Sequence, residues 1–404
     1  MRAPMTELSV RGRTAALLIV VLVLAASFVT FEVAISNGPV IQTRGVHLTY
    51  SGKQVPITGF DAYGLATLWG SNRGCGGQFS DQQLVALFSK LPPRSVVRFD
   101  AFEGGLGVNP KTDQIDFTGL DRVFRAAEQH GIQLVPVLAN EWGGCDDGAY
   151  KDLAWYQRGW QQTPSASLAS ADQLPALPLS YHDWVQAVVS RYATSQSLGM
   201  WEPVGEAEAG TCAASTLSNG CAWHITCPDP QAASSALRSF FDQVGVEIKL
   251  IDPTHLVEAG MIGGDQCGVA GNLYQKVISS PEIDVASIHD YLPELTLGGP
   301  MGSSFSDRVV QAHQLNKPII DGEIGVDAAT KKLGGGTAKC RTFAQRASFI
   351  RSQAALQFSQ GVAGVLVWNL EPNPMSACSL GVLLTDPVVR NLPPKAFSPQ
   401  IARW

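Results

Sequence analysis

The chain has 404 residues, 45% of them hydrophobic and 16% charged, with 35 Asp and Glu against 29 Lys and Arg. A formal charge of −6 offers no basic footprint for nucleic acid, and no block of like charge marks an interaction tail. The length suits one large core or two ordinary ones, and alternating strand–helix barrels often run this long as single domains.

Arg2, Arg11 and Arg13 precede an apolar run over 15–31 that is interrupted by Ser27 and Thr30 and ended by Glu32. Basic residues followed at once by such a run predict export, through either a cleaved leader or a retained anchor with its positive end inside. Residues 1–36 are therefore assigned to a signal or anchor segment, and 40–404 to one folded domain. Eight cysteines, an even count, fit an oxidising compartment and predict disulfides. Cys212, Cys221, His224 and Cys227 together have the donors for a structural zinc. Their spacing is not a common paired-ligand pattern, so disulfides are the stronger reading.

Beyond residue 40, short apolar runs alternate with amphipathic stretches. The predicted strands are 56–62, 95–99, 133–138, 199–205, 255–259, 284–289, 318–321 and 362–368. They are mostly continuous in hydrophobicity, as strands buried on both faces should be. The predicted helices between and after them are 81–89, 119–130, 181–192, 232–251, 272–279, 305–315 and 340–360, the first with Ser80 as its cap. Eight strands alternating with helices predict an α/β fold, a (β/α)8 TIM barrel, with an open doubly wound sheet as the alternative. No glycine-rich phosphate loop follows the first strand, so a nucleotide-binding sheet has no support.

In such a barrel the loops after the strands gather on one face and carry the chemistry. All eight cysteines fall in these loops, which predicts long, disulfide-stapled loops. Cys340–Cys378 is the leading pair and Cys75–Cys145 a weaker one; Cys212, Cys221, Cys227 and Cys267 can pair in three ways. The loop after the third strand carries Trp142, Tyr150, Trp155, Tyr156 and Trp160. They are candidates for stacking on a flat ligand or for anchoring the loop itself.

Two carboxylates stand at the tips of separate strands: Glu206 in Trp201-Glu202-Pro203-Val204-Gly205-Glu206, and Glu323 in Ile320-Asp321-Gly322-Glu323-Ile324. Strand alternation groups Glu202 with Glu206, Asp321 with Glu323, and Ser287 with His289 and Tyr291. Arg98 ends the second strand and Trp368 the eighth. Paired acids on one face are the minimal equipment for splitting a glycosidic bond, provided one is kept protonated and the other ionised. Arg98 is expected to lower one carboxyl's pKa, and burial to raise the other's. Glu202 and Asp321 are expected one layer below the chemistry, and Glu141 and Glu208 add carboxylates nearby.

Five segments in register carry a resemblance over roughly 55–370: Val96-Val97-Arg98, Trp201-Glu202 through Glu206, Ile288-His289-Asp290-Tyr291, Lys317-Pro318 through Glu323-Ile324-Gly325, and Val367-Trp368-Asn369. Together they resemble the retaining (β/α)8 glycoside hydrolases of family five, within it the endo-β-mannanase and cellulase-like members. The resemblance implies that Glu206 is the general acid/base and Glu323 the nucleophile. It implies that Arg98 and Tyr291 hydrogen-bond the nucleophile, that His289 lines the cleavage subsite and that Trp368 forms its floor. The family usually has an Asn where this chain has Gly205, so Asn140 is the candidate to supply that sugar contact. The implied function is hydrolysis of a β-linked polysaccharide or oligosaccharide, of mannan or glucan type, by double displacement. The alternative is a catalytically inert carbohydrate-binding barrel at the cell surface. No metal or organic cofactor is implied, and a monomer is the expectation. A hydrolase with a serine nucleophile would need a Gly-x-Ser-x-Gly elbow, which the chain lacks.

Overall fold

The computed structural model describes residues 41–67, 79–92, 94–109, 112–164, 177–212, 225–291, 302–329, 340–372 and 378–392. The expected leader or anchor over 1–36, and Cys75 and Cys221, lie outside these residues. The strands that carry the fold are β1 (Ile57–Asp61), β2 (Val96–Asp100), β3 (Gln133–Val137), β4 (Met200–Trp201), β5 (Leu256–Val257), β6 (Ala286–His289), β7 (Ile319–Ile324) and β8 (Gly364–Val367). Each lies within or overlaps one of the eight predicted runs.

Six of them form one parallel sheet in the order β6-β7-β8-β1-β2-β3. The strands β4 and β5 pair with each other, also in parallel. Bridges Leu134–Leu198, Val137–Glu202 and Asn140–Gly205 join β3 to the β4 segment, and Glu258–Val285 joins β5 to β6. The pairings therefore run in chain order from β1 to β8 and return to β1. Residues of β2, β3, β6, β7 and β8 are buried without exception, which is why these runs show no alternation.

Helices follow the strands: α1 (Asp81–Lys90), α2 (Thr118–His130), α3 (Tyr181–Tyr192), α4 (Pro230–Ile251), α5 (Leu273–Ile278), α6 (Phe305–Gln314), α7 (Phe343–Ser359) and a short α8 (Pro387–Asn391). Ser80, Ser304 and Thr342 begin α1, α6 and α7 with reciprocal capping boxes. Among the described residues, no helix is long and apolar enough to cross a membrane. An antiparallel three-stranded sheet, Ile41–Arg44, His47–Tyr50 and Lys53–Gln54, precedes the barrel. Its Ile41 and Leu48 pack with Ile57, Val96, Val135 and Met200.

The loops after the strands are stapled as expected. Cys340 is bonded to Cys378, and Cys227 to Cys267. Cys227 is thereby committed to a disulfide rather than to zinc. Cys145 and Cys212 are also disulfide-bonded. The proposed Cys75–Cys145 link involves a residue outside the described ones.

Beside the Cys340–Cys378 staple, the fully buried Arg346 of α7 donates to Asp386 from Nε at 3.0 Å and to the Ser379 and Leu380 carbonyls at 3.2 Å. Replacing Asp386 by Ala leaves a buried guanidinium without its carboxylate. The variant is expected to lose about 3–5 kcal/mol of stability in denaturant unfolding. A loss below about 0.5 kcal/mol, the size of an ordinary surface change, would contradict the anchoring role of this pair.

Candidate active site

The parallel ring brings the strand ends together, and the Arg98 guanidinium of β2 lies at their centre. Its Nε and Nη2 donate to the two oxygens of Glu202, each at 2.6 Å. Its Nη1 donates to Asp61 Oδ1 at 3.0 Å and to Glu323 Oε1 at 2.7 Å. Glu202 is fully buried, one layer below the opening, as expected. Asp61, the last residue of β1, escaped the sequence reading. It is a strand-end acid like the others, and that position was the available signal.

Glu323 reaches this centre because β7 is irregular. Ile288 of β6 pairs with Asp321, and the next residue, His289, pairs with Glu323, so Gly322 is passed over. The extra residue breaks the alternation. Asp321 accepts a hydrogen bond from Gln357 of α7 at 2.6 Å, while Glu323 meets Arg98. The expectation that Asp321 and Glu323 share a face is therefore corrected; Asp321 is fully buried, and its Oδ1 accepts from the Glu323 N–H at 3.2 Å. The other oxygen of Glu323 accepts from the Tyr291 hydroxyl at 2.5 Å. Burial and the Glu323 charge both raise the Tyr291 phenol's pKa, so it stays protonated and able to donate.

Glu206 follows the β4 segment with φ of +66°, a left-handed conformation uncommon for a residue with a side chain. Its N–H and that of Ala207 both donate to the Gly260 carbonyl, at 2.6 and 3.2 Å. Gly260 itself leaves no room for a Cβ, which would lie 2.1 Å from the Val204 carbonyl oxygen. This turn presents the Glu206 side chain, about a quarter exposed, to His289 and Trp142. His289 Nδ1 lies 3.0 Å from Oε1, and Trp142 Nε1 donates to Oε2 at 2.6 Å.

One ligand atom from each of Glu206, His289 and Glu323 falls within a 4.8 Å cluster. Among the described residues this is the one acid–imidazole cluster that could take a metal ion.

The proton affinities follow from these contacts. Burial alone would lower the His289 pKa, but the charges of Glu323 and Glu206 outweigh it and raise it to about 9. Burial pushes Glu323 up, and His289 and Arg98 do not cancel that push. Burial acts on Glu206 too, yet His289 and the Trp142 hydrogen bond hold it below the ordinary value. The Arg98 charge does pull the Glu323 carboxyl down, as expected, but burial outweighs that pull.

Of the predicted residues, Arg98, Trp142, Glu206, His289, Tyr291 and Glu323 form this connected group. Trp368 stands beside it: its N–H donates to the Ile324 carbonyl at 3.0 Å, and its ring stacks on Tyr63 at 5.3 Å, nearly parallel. Tyr63, which no sequence signal singled out, is tied to Glu371 at 3.3 Å.

Asn140 is placed differently from the expectation. Its Oδ1 accepts from the Trp142 N–H at 2.8 Å and its amide donates to the Gly144 carbonyl at 3.3 Å, so both ends shape the turn rather than project toward a ligand. A Cβ at Gly205 would lie 3.0 Å from Arg98 Nη2, so a side chain there would start against the guanidinium.

Glu141 and Glu208 are tied into the loops, Glu141 by the Tyr156 hydroxyl and the Glu208 N–H, and Glu208 by the Cys267 N–H at 3.0 Å. Tyr156 and Trp160 are fully buried, and Trp155 packs on Tyr181 and Phe240, so these three rings anchor the loop.

No family model matches the chain. It is 26% identical over 377 residues to mannan endo-1,4-β-mannosidase 7 of rice (Oryza sativa subsp. japonica), covering 82% of this chain and 88% of the relative. An Arabidopsis thaliana mannan endo-1,4-β-mannosidase 7 is 24% identical, covering 84% and 80%. The chain is similar to the endo-β-mannanases of glycoside hydrolase family five. Among solved structures, the endo-1,4-β-mannanase of Rhizomucor miehei superposes with a TM-score of 0.57 at 18% identity, covering 87% of this chain and 96% of that one. A family five mannosidase from the same organism gives 0.56 at 16% identity, covering 88% and 96%. At these identities the superpositions speak for the barrel fold.

The charge network makes a direct prediction. Histidine side-chain NMR is expected to find His289 titrating near 9 in the wild type and at lower pH in Glu323→Gln, which removes a negative charge beside it. An ordinary imidazole titration in both proteins would show that the two carboxylates do not act on His289.

Proposed function

We propose that this protein is a retaining glycoside hydrolase acting on β-1,4-linked mannan, with Glu323 as nucleophile and Glu206 as general acid/base. The observation that carries the reading is the approach of the two carboxylates, which come from the ends of β4 and β7 to within 4.8 Å of each other through one oxygen each. An approach this close fits the double-displacement arrangement, with carboxyl groups about 5–5.5 Å apart, better than the wider spacing of about 6.5–9.5 Å used for inversion. Mannan as the substrate rests on what the rice and Arabidopsis relatives are named for.

In the first step a Glu323 oxygen bonds the anomeric carbon as the glycosidic bond breaks, and Glu206 gives its proton to the departing oxygen. In the second, Glu206 takes a proton from water, the water oxygen bonds the anomeric carbon, and the ester to Glu323 breaks. Two inversions leave the anomer unchanged.

Arg98 and Tyr291 hold the two Glu323 oxygens and so fix the direction of attack. They also stabilise the carboxylate as it leaves in the second step. His289 lies within 3.5 Å of both acids and carries charge between them. The flat Trp368 ring, backed by Tyr63, is suited to lie under a sugar. Action outside the cytoplasm is supported by the disulfides and by the basic-then-apolar N-terminus, whether that segment is cleaved or kept as a tether.

The purified domain is expected to release reducing ends from β-1,4-mannan, with β-anomers appearing first by NMR. Glu206→Gln should slow this by about 10²–10⁴-fold, the range for loss of a general acid, and Glu323→Gln by at least as much. Initial α-anomers would contradict double displacement. Full activity in Glu323→Gln would contradict the assignment of the nucleophile.

A further inference from the structure

Glu206 has two protein donors, and they come from different kinds of support. His289, on β6, holds Oε1. Trp142, in the loop after β3, holds Oε2 at 2.6 Å, the shorter of the two contacts. That loop is built to carry the indole. The Asn140 side chain accepts from the Trp142 backbone N–H at 2.8 Å, and the Asn140 N–H donates to Asp146 at 3.3 Å. Asp146 is in turn paired with the buried Lys151 at 3.2 Å. The Trp142 ring leans on Tyr150 at 5.8 Å with a 46° tilt. Of the loop aromatics with buried or packed rings, Tyr156, Trp160 and Trp155 face the core, whereas Trp142 puts its one polar atom on a reacting group.

We propose that Trp142 is a positioning residue, whose indole N–H, aimed by the Asn140 turn, orients the Glu206 carboxyl and sets the upper pH at which it still holds its proton. The inference rests on Glu206 being the acid of the reaction proposed above. A donor on a carboxyl oxygen favours the ionised form, so Trp142 and His289 pull in the same direction. Arg98 adds to that pull, while Glu323 and Glu208 oppose it, and the Tyr291 phenol stays neutral. Trp142 carries no charge, so its N–H can be removed from Glu206 without deleting one.

The experiment measures kcat/KM against pH on mannohexaose and on dinitrophenyl β-mannobioside, whose leaving group departs without a proton. The proteins are wild type, Trp142→Phe, Asn140→Ala and Glu206→Gln. The limb of kcat/KM on mannohexaose that disappears in Glu206→Gln reports the acid of the free enzyme. Losing a donor raises its pKa, so in Trp142→Phe the limb is expected to move up by about one pH unit, the value of one hydrogen bond to a charged group. Asn140→Ala should move it the same way by less. At the pH optimum, where protonation is not limiting, the mannohexaose rate should fall in Trp142→Phe because the acid loses its orientation, and the rate on the activated substrate should fall by less.

An unmoved limb would overturn the proposal, and so would an equal loss on both substrates, which marks a sugar-stacking or structural role. Glu206→Gln separates this from failure of the underlying reading. If it hydrolyses mannohexaose like wild type, Glu206 is not the acid and the role of Trp142 falls with it.

Discussion

The Arg98 guanidinium has to satisfy three carboxylates at once: both oxygens of Glu202 at 2.6 Å, Glu323 at 2.7 Å and Asp61 at 3.0 Å. All four side chains are nearly or wholly shielded from water. Burying these charges is costly, and attraction offsets the cost only where geometry is good and the remaining oxygens are bonded. One cation cannot neutralise every acid around it. Burial accordingly pushes the carboxyls of Asp61, Asp100 and Glu258 well above their ordinary pKa values. The barrel interior below the opening is thus a buried cluster of acids gathered around Arg98, and Glu323 is the member of it that Tyr291 and His289 also approach.

Two local departures from regular structure aim the reacting groups. The passed-over Gly322 in β7 turns Glu323 inward while Asp321 is drawn to Gln357 of α7. The left-handed turn at Glu206, held by two bonds to the Gly260 carbonyl, lifts the second acid over the end of β4. Such conformations cost of order 1–3 kcal/mol and persist where surrounding contacts over-determine them. Here the neighbouring strand end at Gly260 supplies those contacts. The resulting rest state has Glu206 bonded on both oxygens by Trp142 and His289, and Glu323 on both by Arg98 and Tyr291.

Most of the architecture was legible because strands buried on both faces announce themselves as unbroken apolar runs. The ring order then follows from alternation with helices. Arg98, Glu206, His289, Tyr291 and Glu323 were legible because each stands at the end of such a run, where a barrel collects its chemistry. What the sequence did not disclose was local. A period of two gives no warning that Gly322 is skipped, so Asp321 and Glu323 were placed on one face. Asn140 also stands at a strand end, but a short amide can satisfy its own turn, and it does so with the Trp142 N–H. Nothing in a list of Trp and Tyr residues separates a ring that anchors a loop, such as Trp160, from one that touches a reacting acid, such as Trp142. The N-terminal sheet could have been read from Ser51-Gly52, a left-handed pair that closes a two-residue hairpin turn.

The central claim is that Glu323 forms a bond to the sugar. Trapping that bond tests it most directly. A fluorinated mannosyl fluoride forms the ester but slows its hydrolysis, and peptide mapping by mass spectrometry then locates the label. The account predicts one sugar per chain, on the peptide containing Glu323, and no label in Glu323→Ala. Label on Glu206 or Glu141 instead, or turnover of mannan with no adduct on any carboxylate, would contradict it.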